Sequence, residues 1–279
     1  MTLTLRKRPL HAGLLLLALA LTARAAVAGE APKATVSVGE FRPTQMEIGH
    51  AAVGYHITKW QRDAASRGMS FADYARDVLR PKFAATHIGA VIDPEGNLRN
   101  TDAHHRMSAL RRVTELTGVK FEIGAKILAD YRGKTKAEYA DHFINTLKKG
   151  QFTAEVEKLP VEERMKHLPA TYAGLGNNAL RSSLEIAFGT HGIDGGWMRD
   201  YVEFRIARRM LEGGILDELK AEGVVPKNAR KVPVRLATDP RVVAAVAKRL
   251  PALREYLLSE ALDDEHRATL ASAIDKMAQ

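Results

Sequence analysis

The densest group of reactive side chains in this sequence is Asn100-Thr101-Asp102-Ala103-His104-His105-Arg106. A carboxylate such as Asp102 can orient an imidazole, and His104 or His105 can take or give a proton at a reacting oxygen. Arg106 adds a fixed positive charge. Met107, Leu110, Val113 and Leu116/Thr117 follow at helical spacing, which predicts a helix over Ala103–Leu116, stopped by Gly118. Asp102 is then expected as its N-cap. The backbone N–H groups at such a helix start, beside a guanidinium, suit an anion. The plainer alternative is that Asp102 only caps and the histidines are surface residues of the first turn. The pattern gives a metal little support, because adjacent helical histidines point about 100° apart and the chain has no His-x-x-x-His pair. Gly192-Ile193-Asp194-Gly195-Gly196 lacks the Lys-Ser/Thr of a phosphate loop and reads as a loop. No organic cofactor motif is present in the sequence, so the cofactor is left unassigned; a divalent metal is compatible with the chemistry but not indicated.

The elements that must position this group can be read from pattern. Val36–Phe41 and His87–Ile92 read as strands, and Leu98–Asn100 as the return arm of a hairpin turned by Asp93-Pro94-Glu95-Gly96-Asn97. Val119, Phe121, Ile123, Ala125 and Ile127 alternate as in a half-buried strand. Helices are predicted over Val53–Arg67, Phe71–Leu79 (Ser70 as N-cap, Pro81 after the last turn), Thr135–Lys149, Ala179–Phe188, Trp197–Glu212, Arg241–Leu258 and Asp264–Met277. Strands dominate early and helices late, which makes the class α+β. A composition shift at Gly213-Gly214 marks a boundary before a helical extension over 213–279. His50 and His56, six apart, lack ligand spacing and read as surface or cap residues. Glu203 reads as an acid paired with Arg181.

The first residues form a secretory leader: a basic Arg6-Lys7-Arg8, an apolar run from Leu10 to Leu21, and Ala26-Val27-Ala28 as the cleavage site. That run is too short to cross a bilayer, which takes about 20 apolar residues. Removal of residues 1–28 takes Arg6, Lys7, Arg8 and Arg24 with it, lowering the formal charge from +9 to +5. A periplasmic or secreted protein with no transmembrane segment in its mature chain is expected. The remaining positive charge suits anionic partners such as phosphate esters or nucleic acid. Zero cysteines exclude disulfides, thiol nucleophiles, Fe–S clusters and cysteine zinc sites.

Arg42-Pro43-Thr44-Gln45, Ile48-Gly49, Val53, Lys59 and Gly96, followed by Asp102-Ala103-His104-His105-Arg106-Met107-Ser108-Ala109-Leu110, resemble the ParB-like nuclease family, with its P-T-Q and D-x-H-H segments. Leu168–Tyr172, Arg181-Ser182-Ser183-Leu184 and Tyr201-Val202-Glu203-Phe204 are similar to the later half of that family. The resemblance spans about Val36 to Leu211, giving a domain over 36–212. It implies a small mixed β-sheet of ParB/sulfiredoxin type with packed helices, and a phosphate or nucleotide at the start of the D-x-H-H helix. In ParB-type relatives a G-x-x-R pattern opens the equivalent helix and holds nucleotide phosphates; Arg106 matches its arginine, and His104 and His105 stand where those relatives use small or acidic residues. Arg42, Gln45 and Lys59, from the early motif, would approach the same anion. Where the family usually reads D-D-P-Y-R-S, this chain has Asn177-Asn178-Ala179-Leu180-Arg181-Ser182, so any role of those acids does not carry over. Sulfiredoxin chemistry needs a cysteine and is excluded.

The leading expectation is an exported phosphodiesterase or nuclease. Asp102, His104 and His105 would act in catalysis, and Arg106, Lys59, Arg42 and Gln45 would hold the phosphate. The alternatives are a non-catalytic nucleotide- or nucleic-acid-binding module and a nucleotide-dependent phosphotransferase.

Overall fold

The structure, a computed structural model, describes residues 33–193, 197–198 and 202–277. The predicted leader and cleavage site lie outside the described residues. Strand β1 (Lys33–Ser37) leads through a 3₁₀ turn to an extended segment and the two-residue strand β2 (Glu47–Ile48). Helix α1 (His50–Ser66) follows. Ser70 caps α2 (Phe71–Tyr74) by accepting the Asp73 N–H. A π turn (Ala75–Leu79) joins α2 to α3 (Arg80–Ala84), so Pro81 sits inside a continuous helical stretch rather than after its last turn. The wider turn ahead of Pro81 lets the helix absorb a residue with no N–H to donate.

β3 (His87–Ile92) and β4 (Leu98–Asn100) form the expected hairpin, with Gly96 at φ 84° in its turn. Helix α4 (His104–Thr117) then crosses back to β5 (Glu122–Asp130). The sheet order is β1-β5-β3-β4, with β5 parallel to β3 and the outer pairs antiparallel. This is a mixed four-stranded sheet of an α+β protein. The α4 crossover explains the parallel pair, since parallel neighbours need a long connection. Along β5, Ile123 and Ala125 are buried while Lys126 and Leu128 face out, as the alternation predicts.

Helix α4 lies on the sheet through Met107, Leu110 and Val113, all fully buried with Ile123 and Ala125 in one cluster. Leu116 is a correction: it is 51 % exposed in the last turn of the helix, where the neighbouring Thr117 is half-buried instead. The second sheet is a single parallel pair, β2 with β6 (Gly176–Asn177), which fastens the start of α1 to the start of α7 (Ala179–Thr190). Between them lie α5 (Lys136–Asp141), which runs into a π turn over His142–Thr146, and α6 (Val161–Lys166).

The C-terminal part is helical: α8 (Val202–Glu212), α9 (Ile215–Ala221), α10 (Pro240–Arg249), α11 (Arg254–Ser259) and α12 (Asp264–Met277). The single helix predicted over Arg241–Leu258 divides at Pro251, which starts a short 3₁₀ turn. One apolar cluster runs from Ala179 to Ile274, joining α7 and α8 to α10, α11 and α12.

Candidate functional site

Three segments far apart in sequence meet: residues 44–50, 102–106 and 177–185. Thr44 and Gly49 bracket the extended segment before α1, and each donates its backbone N–H to an imidazole. Thr44 N lies 3.0 Å from His104 Nε2, and Gly49 N lies 3.0 Å from His105 Nε2. Both imidazoles therefore accept through Nε2, which puts the proton of each neutral ring on Nδ1. The Thr44 hydroxyl donates to Asn100 O at 2.8 Å, and the Tyr172 hydroxyl donates to Asn100 Oδ1 at 2.5 Å, locking the strand–helix junction.

The third segment is the start of α7. Asn178 caps that helix by accepting the Arg181 N–H, and donates Nδ2 to Glu47 Oε2 at 3.0 Å. Asn177 and Ser182 accept the first N–H groups of α1, from His50 and Ala51. Arg181 is buried, at 3 % exposure. Its Nη1 donates to Glu47 O at 3.1 Å, its Nη2 lies 3.7 Å from Glu203, and its guanidinium sits 3.9 Å over the Phe204 ring. The pairing of Glu203 with Arg181 is as predicted. What the sequence did not reveal is that Arg181 faces the two histidines. Burial, then the Arg181 charge, hold both His104 and His105 well below the usual imidazole pKa of 6.5. Glu185 stands 3.9 Å from His105 Nδ1. The Arg-Ser pair of the later motif was the available signal for this role.

The expected site residues separate into two groups. His104 is buried and His105 nearly so, and each Nε2 is occupied by a backbone amide, so as placed neither lone pair is open to a substrate. Asp102 is exposed and is not the N-cap. Ala103 is the N-cap, in the left-handed conformation at φ 59°, and Asp102 Oδ1 accepts the Ala103 N–H instead. Such a conformation costs an alanine about 1–2 kcal/mol, and the packed junction of Asn100, Tyr172 and His104 holds it in place. Arg42 sits at the sheet edge beside Arg99, paired through its backbone to Leu98 and Asn100. Gln45 is fully buried, and neither atom of its side-chain amide has a hydrogen-bond partner among the described residues.

Arg106 and Lys59 both act on a third side chain. Both are exposed, on α4 and α1, and both bear on His56, a residue read from sequence as an ordinary surface group. Burial first, then the charges of Arg106 and Lys59, lower the His56 pKa. Its ring stacks on Trp60 with centroids 5.8 Å apart. Neither Arg106 nor Lys59 has a carboxylate partner among the described residues. Among the described residues no group of three His, Cys, Asp or Glu side chains is placed to hold a metal ion.

The mixed sheet with its crossover helix, and the conjunction of the P-T-Q and D-x-H-H segments at the start of that helix, define a ParB-like protein. The family described as "Putative ParB-like nuclease" matches residues 34–211, and this chain belongs to it. Among solved structures, that of protein Atu1540 from Agrobacterium tumefaciens is similar, with a TM-score of 0.50 and 17 % identity, over 80 % of this chain and 94 % of that one. That likeness supports the fold. No curated protein matches.

Proposed function

We propose that this ParB-like protein is a phosphodiesterase or nuclease whose phosphate seat is the outer face of the α1–α4 pair. The observation that carries this reading is the junction of Arg106, Lys59 and His56: two exposed cations without carboxylate partners, around an imidazole whose pKa is lowered first by burial and then by their charges. A phosphate between Arg106 and Lys59 would be held by charge-assisted bonds, which contribute about 1.5–3 kcal/mol each. The neutral His56 ring can take a proton from an attacking water or hydroxyl, and the two cations stabilise charge on the phosphoryl oxygens. Asp102, exposed at the mouth of α4, is placed to orient water rather than to cap. His104 and His105 act as positioning residues, fixing the 44–49 segment against α4. Gln45 supports that segment from within, and Arg42 supplies positive field from the sheet edge.

The leader supports export, so the substrate would be met outside the cytoplasm. Mass spectrometry of exported protein should show a new N-terminus near Gly29; Met1 retained on a membrane-bound form would overturn this.

The activity is tested on bis-p-nitrophenyl phosphate and on DNA and RNA oligonucleotides, with and without divalent cations. Arg106→Gln should lower kcat/KM about tenfold or more. His56→Gln should lower kcat about a hundredfold with KM nearly unchanged. The acid-side limb of the pH profile, where the base His56 becomes protonated, should lie below 6.5, and Arg106→Gln should move it upward by removing a charge that depresses His56. Cleavage that is indifferent to both substitutions would place the chemistry elsewhere.

A further inference from the structure

Helix α1 carries another feature on its outward face. Tyr55, Lys59 and Arg62 follow one another at i, i+4 and i+7, so they form one stripe about 10 Å long. All three are exposed, and Tyr55 is 52 % exposed, unusual for a large aromatic ring on a helix whose other aromatic, Trp60, is buried. The Tyr55 ring is not loose. It meets His56 edge-on with centroids 6.4 Å apart, His56 stacks on Trp60, and Trp60 packs at 66° against Phe83 in the core. An ordered ladder of rings thus leads from the core to a solvent-facing tyrosine. Beside it, Lys59 and Arg62 have no carboxylate partner among the described residues, and Arg106 continues the positive charge onto α4.

We propose that this stripe binds a single-stranded polynucleotide, with an unpaired base stacked on Tyr55 and successive phosphates on Lys59 and Arg62, leading to the Arg106–His56 seat. The proposal rests on the phosphodiester reading and names its substrate class. A rigid aromatic flanked by unpaired cations is the arrangement that follows a single strand, where base faces are free to stack. In a duplex those faces are covered by neighbouring bases, and Tyr55 would find only phosphate and sugar. Stacking is indifferent to the sugar, so DNA and RNA strands share this chemistry.

The experiment is fluorescence anisotropy on the full chain in EDTA, with oligo-dT, oligo-U, a DNA duplex of equal length and anionic phosphatidylglycerol vesicles. Single strands should bind more tightly than the duplex. Tyr55→Ala should weaken single-strand binding about tenfold and leave duplex binding unchanged, and Tyr55→Phe should restore it. Arg62→Gln should reduce the slope of log K against log salt by about 0.7, as expected for one lost phosphate contact on a single strand. The oligo-dT and oligo-U arms report whether DNA or RNA is preferred, and binding to either supports the proposal. Equal affinity for strand and duplex, no effect of Tyr55→Ala, or preference for the vesicles would overturn it. If a small phosphodiester is cleaved in an Arg106-dependent way while strands fail to bind, this inference falls and the phosphodiesterase reading stands. If strands bind as described and nothing is cleaved, the reverse holds.

Discussion

At the scale of single residues, His104 and His105 act as buried acceptors for the backbone N–H groups of Thr44 and Gly49. Protonating either ring would put a second donor against a donor, next to the Arg181 charge. Their folded pKa values are therefore depressed below 6.5, while in the unfolded chain they return to it. Because the unfolded state binds more protons below that value, their contribution to stability is present above pH 6.5 and is lost as the pH falls toward the folded values. Each histidine should add up to about 1.4 kcal/mol per pH unit to the slope in that window. Urea melts between pH 7.5 and 5 check this. His105→Gln should flatten the slope by about one histidine's share, and an unchanged slope would show that His105 is not held neutral by the fold.

At the scale of elements, the site depends on how closely α1 and α7 begin. A Cβ on Gly49 would lie 3.1 Å from the backbone N and Cα of Ser182, and helix backbone cannot yield as a flexible side chain can. Gly49→Ala should therefore push the two helix starts apart, stretching the Gly49–His105 bond and the Ser182 cap of Ala51. Overpacking of this kind costs about 1–3 kcal/mol. Thermal melts should show that loss together with lower activity. At Gly54, where nothing lies within 4 Å, an alanine has room and should be tolerated, stabilising the helix by about 0.5–1 kcal/mol.

At the scale of the molecule, the family match ends at residue 211, but the packing does not. Leu184, Phe188, Ile206 and Met210 are buried in the same cluster as Val242, Val246, Leu257 and Leu270, and the Ser183 hydroxyl donates to Ala237 O at 2.8 Å. Burial of one large apolar side chain contributes about 1.5–3 kcal/mol, so exposing several exceeds the usual 5–15 kcal/mol stability of a domain. A fragment over 33–212 should be insoluble, or should bind a hydrophobic dye and lack a cooperative melt. A soluble fragment with the full chain's melting temperature would show that the C-terminal helices are dispensable.

The sequence by itself determined much of this protein's local structure. The alternation around Ile123 and Ala125, the Asp93–Asn97 turn, the Ser70 cap and the stop at Gly118 are set by neighbours along the chain, and each stands in the structure as predicted. The family was legible too, because the P-T-Q and D-x-H-H segments carry it in residue types and order. Which candidates share a site was decided only by the tertiary structure. Gln45 and Arg42 lie in the same motif as Thr44, yet one is buried and the other at the sheet edge, because the backbone of Arg42 pairs with Arg99 on the outer strand while that of Gln45 pairs with Gln151 from a distant segment. Asp102 lost the cap to Ala103 because Asn100, Tyr172 and His104 fix the approach to α4 from across the fold. His56 and Arg181 gained their parts for the same reason. A charge or an imidazole takes its pKa and its partners from its surroundings in space: Arg106 bears on His56 from 50 residues away, and Arg181 reaches the Glu47 carbonyl from 134 residues away.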